Sequence, residues 1–183
     1  MQKILLKSFI LIDNINYSEL SIYNKNTNII YRNYKKNISK KDVLSLKKFC
    51  KKRKFKFYLS NNLKLALKYK LDGLYIPSFN NNLNYKNLSL PKGFRFIGSA
   101  HNKIEVQIKK KQGCTLIFLS PIFKTLKNEY YLNINKFNLI TNSFKQNFVA
   151  LGGIKEENLK LLNLLNIKGF AGISFFQKKT AHK

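Results

Sequence analysis

With 183 residues, of which 44% are hydrophobic and 14% aromatic, and only three prolines, the chain has the composition of one globular domain and not of a disordered segment. No apolar run approaches the roughly 20 residues of a membrane helix, and Met1-Gln2-Lys3-Ile4-Leu5-Leu6-Lys7 is too short an apolar start for a secretory signal, so a cytoplasmic protein is expected. The formal charge of +27 suggests nucleic acid, but 32 of the cations are Lys and only three (Arg32, Arg53, Arg95) carry the guanidinium that base reading favours; Asn, Ile, Phe and Tyr share A/T-rich codons with Lys and are also in excess.

Strand-length apolar runs alternate along the chain with helix-patterned segments. Phe9–Asp13 is the first strand, followed by a short helical stretch at Tyr17–Tyr23. Asn28–Tyr34 precedes an amphipathic helix over Ser39–Lys52, where Ser39 can cap and Val43, Leu44, Leu46 and Phe49 fall near helical spacing. Phe55–Ser60 then leads into a helix at Leu63–Lys70, and Gly73–Ile76 into an Asn-rich stretch at Asn82–Leu88 that is weakly helical. Phe94–Ser99 is paired with Lys103–Gln112, Thr115–Ser120 with Asn133–Ser143, and Phe148–Gly152 with a helix over Glu156–Asn166. Gly169–Ile173 is the eighth strand. Eight strand-then-helix units without a linker predict an α/β fold, a single compact (β/α)₈ TIM barrel over residues 1–183, with short or missing first, fourth and last helices. An open doubly wound sheet would also alternate, but no G-x-G-x-x-G follows the first strand.

Barrels carry their chemistry at the C-terminal ends of the strands. Those ends supply Asp13, Arg32 and Tyr34, Asn61 and Asn62, Pro77 and Ser78, Ser99 and His101, Ser120 and Thr125, Gly152 and Gly153, and Gly172 to Ser174. Glycine turns after strands seven and eight suit a phosphate, with Lys155 adjacent to the first. Of eight acidic residues, only Asp13 and Glu129 reach this face, while Asp72 begins strand four at the opposite end and reads as structural. Cys50 and Cys114 lack a partner spacing for a disulfide or zinc and read as buried thiols.

The series Tyr31-Arg32-Asn33-Tyr34, Leu71-Asp72-Gly73-Leu74-Tyr75-Ile76-Pro77, Gly98-Ser99-Ala100-His101, Leu119-Ser120-Pro121-Ile122-Phe123-Lys124-Thr125, Val149-Ala150-Leu151-Gly152-Gly153-Ile154 and Gly169-Phe170-Ala171-Gly172-Ile173 resembles thiamine phosphate synthase and its relative the thiazole tautomerase. The resemblance implies a transferase of thiamine biosynthesis that joins a pyrimidine-methyl diphosphate to a thiazole phosphate and releases pyrophosphate. It implies catalytic roles for Arg32, Ser99 and His101, and substrate contacts from Thr125, Lys127, Gly152, Gly153, Ile173 and Ser174. It also implies Mg²⁺, but the family's metal carboxylates fall at Asn61 and Asn80, its diphosphate lysine at Tyr34, its glutamine at Ile30 and a further lysine at Asn128, where Lys124 or Lys127 is a nearby substitute. The tautomerase's histidine falls at Ser120-Pro121. Two other readings follow from the same residues: a non-catalytic or salvage-type binder of a phosphorylated heterocycle, from glycine turns without metal carboxylates, and a Lys-rich nucleic-acid associating protein, from charge alone.

Overall fold

The computed structural model describes residues 6–25, 27–34, 38–126 and 129–172. Eight parallel strands run β1 (Lys7–Ile12), β2 (Thr27–Tyr31), β3 (Lys56–Ser60), β4 (Gly73–Ile76), β5 (Arg95–Ala100), β6 (Leu116–Leu119), β7 (Asn147–Leu151) and β8 (Gly169–Gly172). Each pairs with the next, and β1 pairs with β8 from Lys7↔Gly169 to Ile10↔Gly172, closing the ring. The barrel read from the sequence is the barrel observed.

Strand alternation divides the apolar residues into two cores. One set fills the barrel: Phe9, Leu11, Ile30, Tyr58, Tyr75, Ile97, Phe118, Val149 and Ala171. Edge-to-face contacts of Phe118 with Phe9 at 5.0 Å and with Tyr75 at 5.7 Å knit its centre. The alternate residues, among them Ile10, Ile29, Leu59, Leu74, Leu119 and Ala150, face outward onto the helices.

Five α-helices cover that outer layer: α1 (Tyr17–Ser21), α2 (Lys40–Arg53), α3 (Leu63–Lys68), α4 (Lys103–Lys111) and α5 (Asn133–Asn142). Helix α2 starts where Ser39 Oγ accepts from Asp42 N at 3.0 Å and buries Val43, Leu46 and Cys50. It stops at Lys54, which takes the left-handed conformation (φ 58°). Its last arginine ties back to α1, with Arg53 Nη2 donating to Ser21 O at 2.6 Å and Tyr23 O at 2.9 Å. Helix α1 is short, as expected. The fourth connection is a 3₁₀ turn at Asn84–Asn87, and the segment after β8 lies outside the described residues.

The segment after β7 departs from the amphipathic α-helix expected over Glu156–Asn166. It is a 3₁₀ helix, Glu156–Leu164. Its inward residues are Leu159 and Leu162, followed at its C-terminal cap by Leu165, three apart, which matches three residues per turn; Leu161 and Leu164 are exposed. The leucine-rich composition suggested the longer period, and the spacing of three decides the tighter one.

Candidate active site

Extending the interior alternation by one step toward the strand C-termini changes its chemistry. Above Leu11, Ile30, Tyr58, Ile97, Phe118 and Leu151 stand Asp13, Arg32, Ser60, Ser99, Ser120 and Gly153. The barrel is therefore oily inside and crowned by a polar ring.

Arg32 follows β2 and is half-buried, its backbone still paired to β1 through Arg32 N to Ile12 O at 2.9 Å. Its Nε lies 3.3 Å from Asp13 Oδ1, close enough for an ion pair, yet this buried nitrogen has no aligned hydrogen-bond partner among the described residues. On the neighbouring side of the ring the fully buried Tyr75 connects Arg32 to Ser99. Burial pushes the Tyr75 phenol up to about 12, while hydrogen bonding from the Ser99 and Arg32 side chains acts in the opposite direction. Tyr75 of β4 thus links a residue just after β2 with one on β5.

His101 follows β5. Its Nδ1 lies 2.9 Å from the Ser120 carbonyl oxygen, which can only accept, so the neutral ring carries its proton on Nδ1 and leaves Nε2 as the acceptor. Ser120 Oγ is 3.2 Å from the same nitrogen. A backbone carbonyl thus orients the imidazole, while the Glu105 carboxylate accepts from the His101 backbone N at 2.8 Å. The arrangement is a positioned base without an acidic relay.

Across the ring, Gly152 and Gly153 adopt φ values of 92° and 71°. A Cβ on Gly153 would fall 2.5 Å from Phe123 O and 2.6 Å from Lys124 O, so the turn has glycine because the loop after β6 presses against it. Ile122 N to Leu151 O (3.0 Å) and Phe123 N to Gly152 O (3.2 Å) lock the two loops together, and half-buried Thr125 is carried on the same loop. The turn's other side is fixed by Asn158 Nδ2 donating to Gly153 O at 2.8 Å. The N–H groups of Gly152 and Gly153 donate to no carbonyl among the described residues. Lys124 and Lys155, at the flanks, make loose exposed pairs with Glu129 (3.7 Å) and Glu157 (3.3 Å). Lys127, Ile173 and Ser174, expected here, lie outside the described residues, as does Asn128.

The two positions expected for metal carboxylates do come together. Asn80 Nδ2 donates to Asn61 Oδ1 at 2.6 Å and also meets Tyr85 Oη at 3.1 Å, while Asn80 Oδ1 accepts from Asn82 N at 2.9 Å. Both amide oxygens are already engaged, both residues are neutral, and no group of three or more His, Cys, Asp or Glu suited to a metal occurs among the described residues. This donor set does not fit Mg²⁺, which wants charged carboxylate oxygens. Beside it Tyr34, where the resemblance led to an expected lysine, bonds Ser60 Oγ at 3.2 Å and packs edge-on against Phe79 at 5.4 Å.

Two residues outside this ring have structural duties. Asn62 caps α3 through Leu65 N at 3.0 Å, and Asp72, at the far end of β4, holds Lys56 Nζ at 2.7 Å and Phe57 N at 2.9 Å. Both cysteines are buried, and burial pushes each thiol up to about 12. Residue-by-residue reading of the sequence overlooked Ser60, Tyr75 and Lys109. The first two were accessible by extending the strand alternation, whereas Lys109 was hidden among 32 lysines.

Residues 13–176 match the model of the family described as Thiamine monophosphate synthase. The chain belongs to this family. Among sequence relatives of the thiamine monophosphate synthase family, a thiamine-phosphate synthase of Prochlorococcus marinus subsp. pastoris is 31% identical over 138 residues, covering 73% of this chain and 39% of the relative. A thiamine-phosphate synthase from a second Prochlorococcus marinus strain is 28% identical over 137 residues, covering 73% and 38%. The chain therefore spans about two fifths of the length of these curated relatives. In structure, thiamine phosphate pyrophosphorylase from Pyrococcus furiosus superposes with a TM-score of 0.75 at 18% identity, covering 92% of this chain and 86% of that one. FabK from Thermotoga maritima reaches 0.67 at 12% identity, covering 94% and 60%, so the barrel alone does not separate family members from other proteins. No helix among the described residues is long and apolar enough to cross a membrane.

Proposed function

We propose that this barrel catalyses the thiamine phosphate synthase condensation, joining a pyrimidine-methyl diphosphate to a thiazole phosphate. The C–O bond to the diphosphate breaks with its electron pair on the leaving oxygen, and the thiazole nitrogen lone pair forms the new C–N bond. Such a reaction needs charge stabilisation on the leaving group and a nucleophile held in line. Arg32 provides the first, as a half-buried cation whose Nε has no aligned partner. Ser99, steadied by Tyr75, contacts the pyrimidine, and His101 Nε2 accepts from its amino group. Thr125 and Lys127 contact the substrates from the loop after β6. The glycine turn, with Ile173 and Ser174, receives the thiazole phosphate on its N–H groups. No step is assigned to magnesium, because Asn61 and Asn80 do not fit it.

The observation that supports this reading most directly is the coupling of Arg32 and Ser99 through Tyr75 at the top of the barrel, on the same rim as the imidazole oriented by Ser120. Thiochrome fluorescence after incubation with both substrates tests it. The wild type is expected to exceed Arg32→Ala by about 100-fold or more, and equal rates would remove the proposal. The amide pair at Asn61–Asn80 favours a second reading, a binder of one phosphorylated heterocycle. That reading expects thiazole phosphate to bind calorimetrically, and Gly153→Asp to abolish the heat, without turnover.

A further inference from the structure

Lys109 is the one wholly buried charged residue among the described residues. It projects inward from α4, with its stem passing Gly98 so closely that a Cβ there would meet Lys109 Cδ at 2.9 Å. The ammonium donates to Pro77 O at 2.8 Å, Asn80 O at 2.7 Å and Gln112 Oε1 at 2.9 Å. Gln112, also fully buried, donates to Asn80 O at 2.8 Å and Asn82 O at 2.9 Å. All of these acceptors are neutral, and no carboxylate among the described residues pairs with the ammonium.

Lysine ordinarily buries its stem and turns its charge to water. Here the charge is turned to the loop whose Asn80 side chain meets Asn61 at the mouth. A cation buried without a counter-ion is costly, and burial pulls its pKa down to about 8, with Cys114 and Glu105 acting in the opposite direction. Its field, unlike that of a surface lysine, is little screened by salt. Arg32, 3.3 Å from the Asp13 carboxylate, supplies a second cation just after β2, and Asn61, Asn80, Tyr34 and Ser60 on the rim from β2 to β4 are neutral. Amide groups backed by fixed positive charge suit an oxyanion and oppose a dication.

Resting on the condensation reading above, we propose that Lys109 is a built-in cation for the ligand's diphosphate, attracting it to the Asn61–Asn80 rim in place of a protein-held divalent ion. Lys109 acts through the loop and not by touching the substrate, so it is a positioning residue with an electrostatic effect.

Calorimetric titration of the intact chain with inorganic pyrophosphate tests this, in about 0.5 M NaCl to mute the surface lysines, once with EDTA and once with magnesium. The affinity is expected to agree within about twofold between the two buffers, and Lys109→Met to lower it about tenfold, with a smaller loss for singly phosphorylated inorganic phosphate. Binding seen only with magnesium overturns the proposal and leaves the condensation reading intact, whereas no binding in either buffer overturns both. Unchanged pyrophosphate affinity in Lys109→Met, or equal losses for phosphate and pyrophosphate, reduces Lys109 to loop support and also overturns it. Should Lys109→Met fail to fold, Asn80→Asp decides, since it adds a carboxylate at the rim and leaves the backbone carbonyl that Lys109 holds. A loss of about tenfold in metal-free pyrophosphate affinity supports the proposal, and an unchanged value overturns it.

Discussion

A lysine buried among carbonyl oxygens makes stability respond to alkali in an uncommon direction. The unfolded chain binds the Lys109 proton up to its ordinary 10.5, whereas the folded chain releases it near 8. Below about 8 both states hold the proton and the full burial cost is present; between the two values the unfolded state holds more protons, so stability rises with pH. Comparing urea unfolding of the wild type and Lys109→Met at about pH 7.5 and about pH 9.5, the difference is expected to move in favour of the wild type by about 1 to 2 kcal/mol. An unchanged difference would show that the folded protein retains this proton across that range. The same residue marks the limit of legibility in the sequence. Arg32, Ser99 and Gly153 were readable because strand ends name them. Lys109 stands three residues after buried Val106 on an otherwise ordinary lysine-rich helix, and only its neighbours distinguish it from a solvated lysine.

At the scale of elements, all eight strands were readable because a barrel strand is apolar on both faces: β2, Thr27–Tyr31, is buried at every position. Helix α2 was readable from its cap and its buried face. The 3₁₀ helix Glu156–Leu164 was not, because leucines at 159, 161, 162, 164 and 165 satisfy either period, and packing against the barrel selects between them. Leu162→Ala should cost about 2 to 5 kcal/mol, whereas Leu161→Ala should change stability by no more than about 0.5 kcal/mol. Chemical denaturation of the two variants checks this; equal costs would favour the longer period. The mouth is partly a product of such element-level contact, since the loop after β6 and the turn after β7 share two backbone hydrogen bonds and a glycine whose Cβ would collide.

Over the whole molecule, the net charge of +27 works against compactness. Acidic residues are too few to neutralise it, and Asp13 and Asp72 are already committed to Arg32 and Lys56. Raising sodium chloride from about 0.02 M to about 0.2 M shortens the Debye length from roughly 20 Å to under 10 Å and should raise the thermal midpoint by several degrees. A scan showing no increase would mean that the lysines are spaced widely enough to ignore one another. Closure of the ring and the position of its mouth followed from the strand count, but the metal question did not follow from substitution alone. It took the three-dimensional pairing of Asn61 with Asn80 to show that both amide oxygens are occupied.

Gly98 ties this chain's history to its chemistry. The lysine stem occupies the volume that any larger residue on β5 would claim, with Cys114 Sγ also 2.9 Å from the position of a Cβ. Positions 98 and 109 are therefore coupled: a methyl group on the strand forces the lysine stem and Cys114 to shift, whereas a shorter residue on the helix relieves only part of the crowding, since Cys114 Sγ and, at 3.2 Å, Ile76 O still face the bare position. Divergent relatives that acquire the lysine should carry the glycine with it, and a designer who wishes to move this charge into another barrel must transplant the pair.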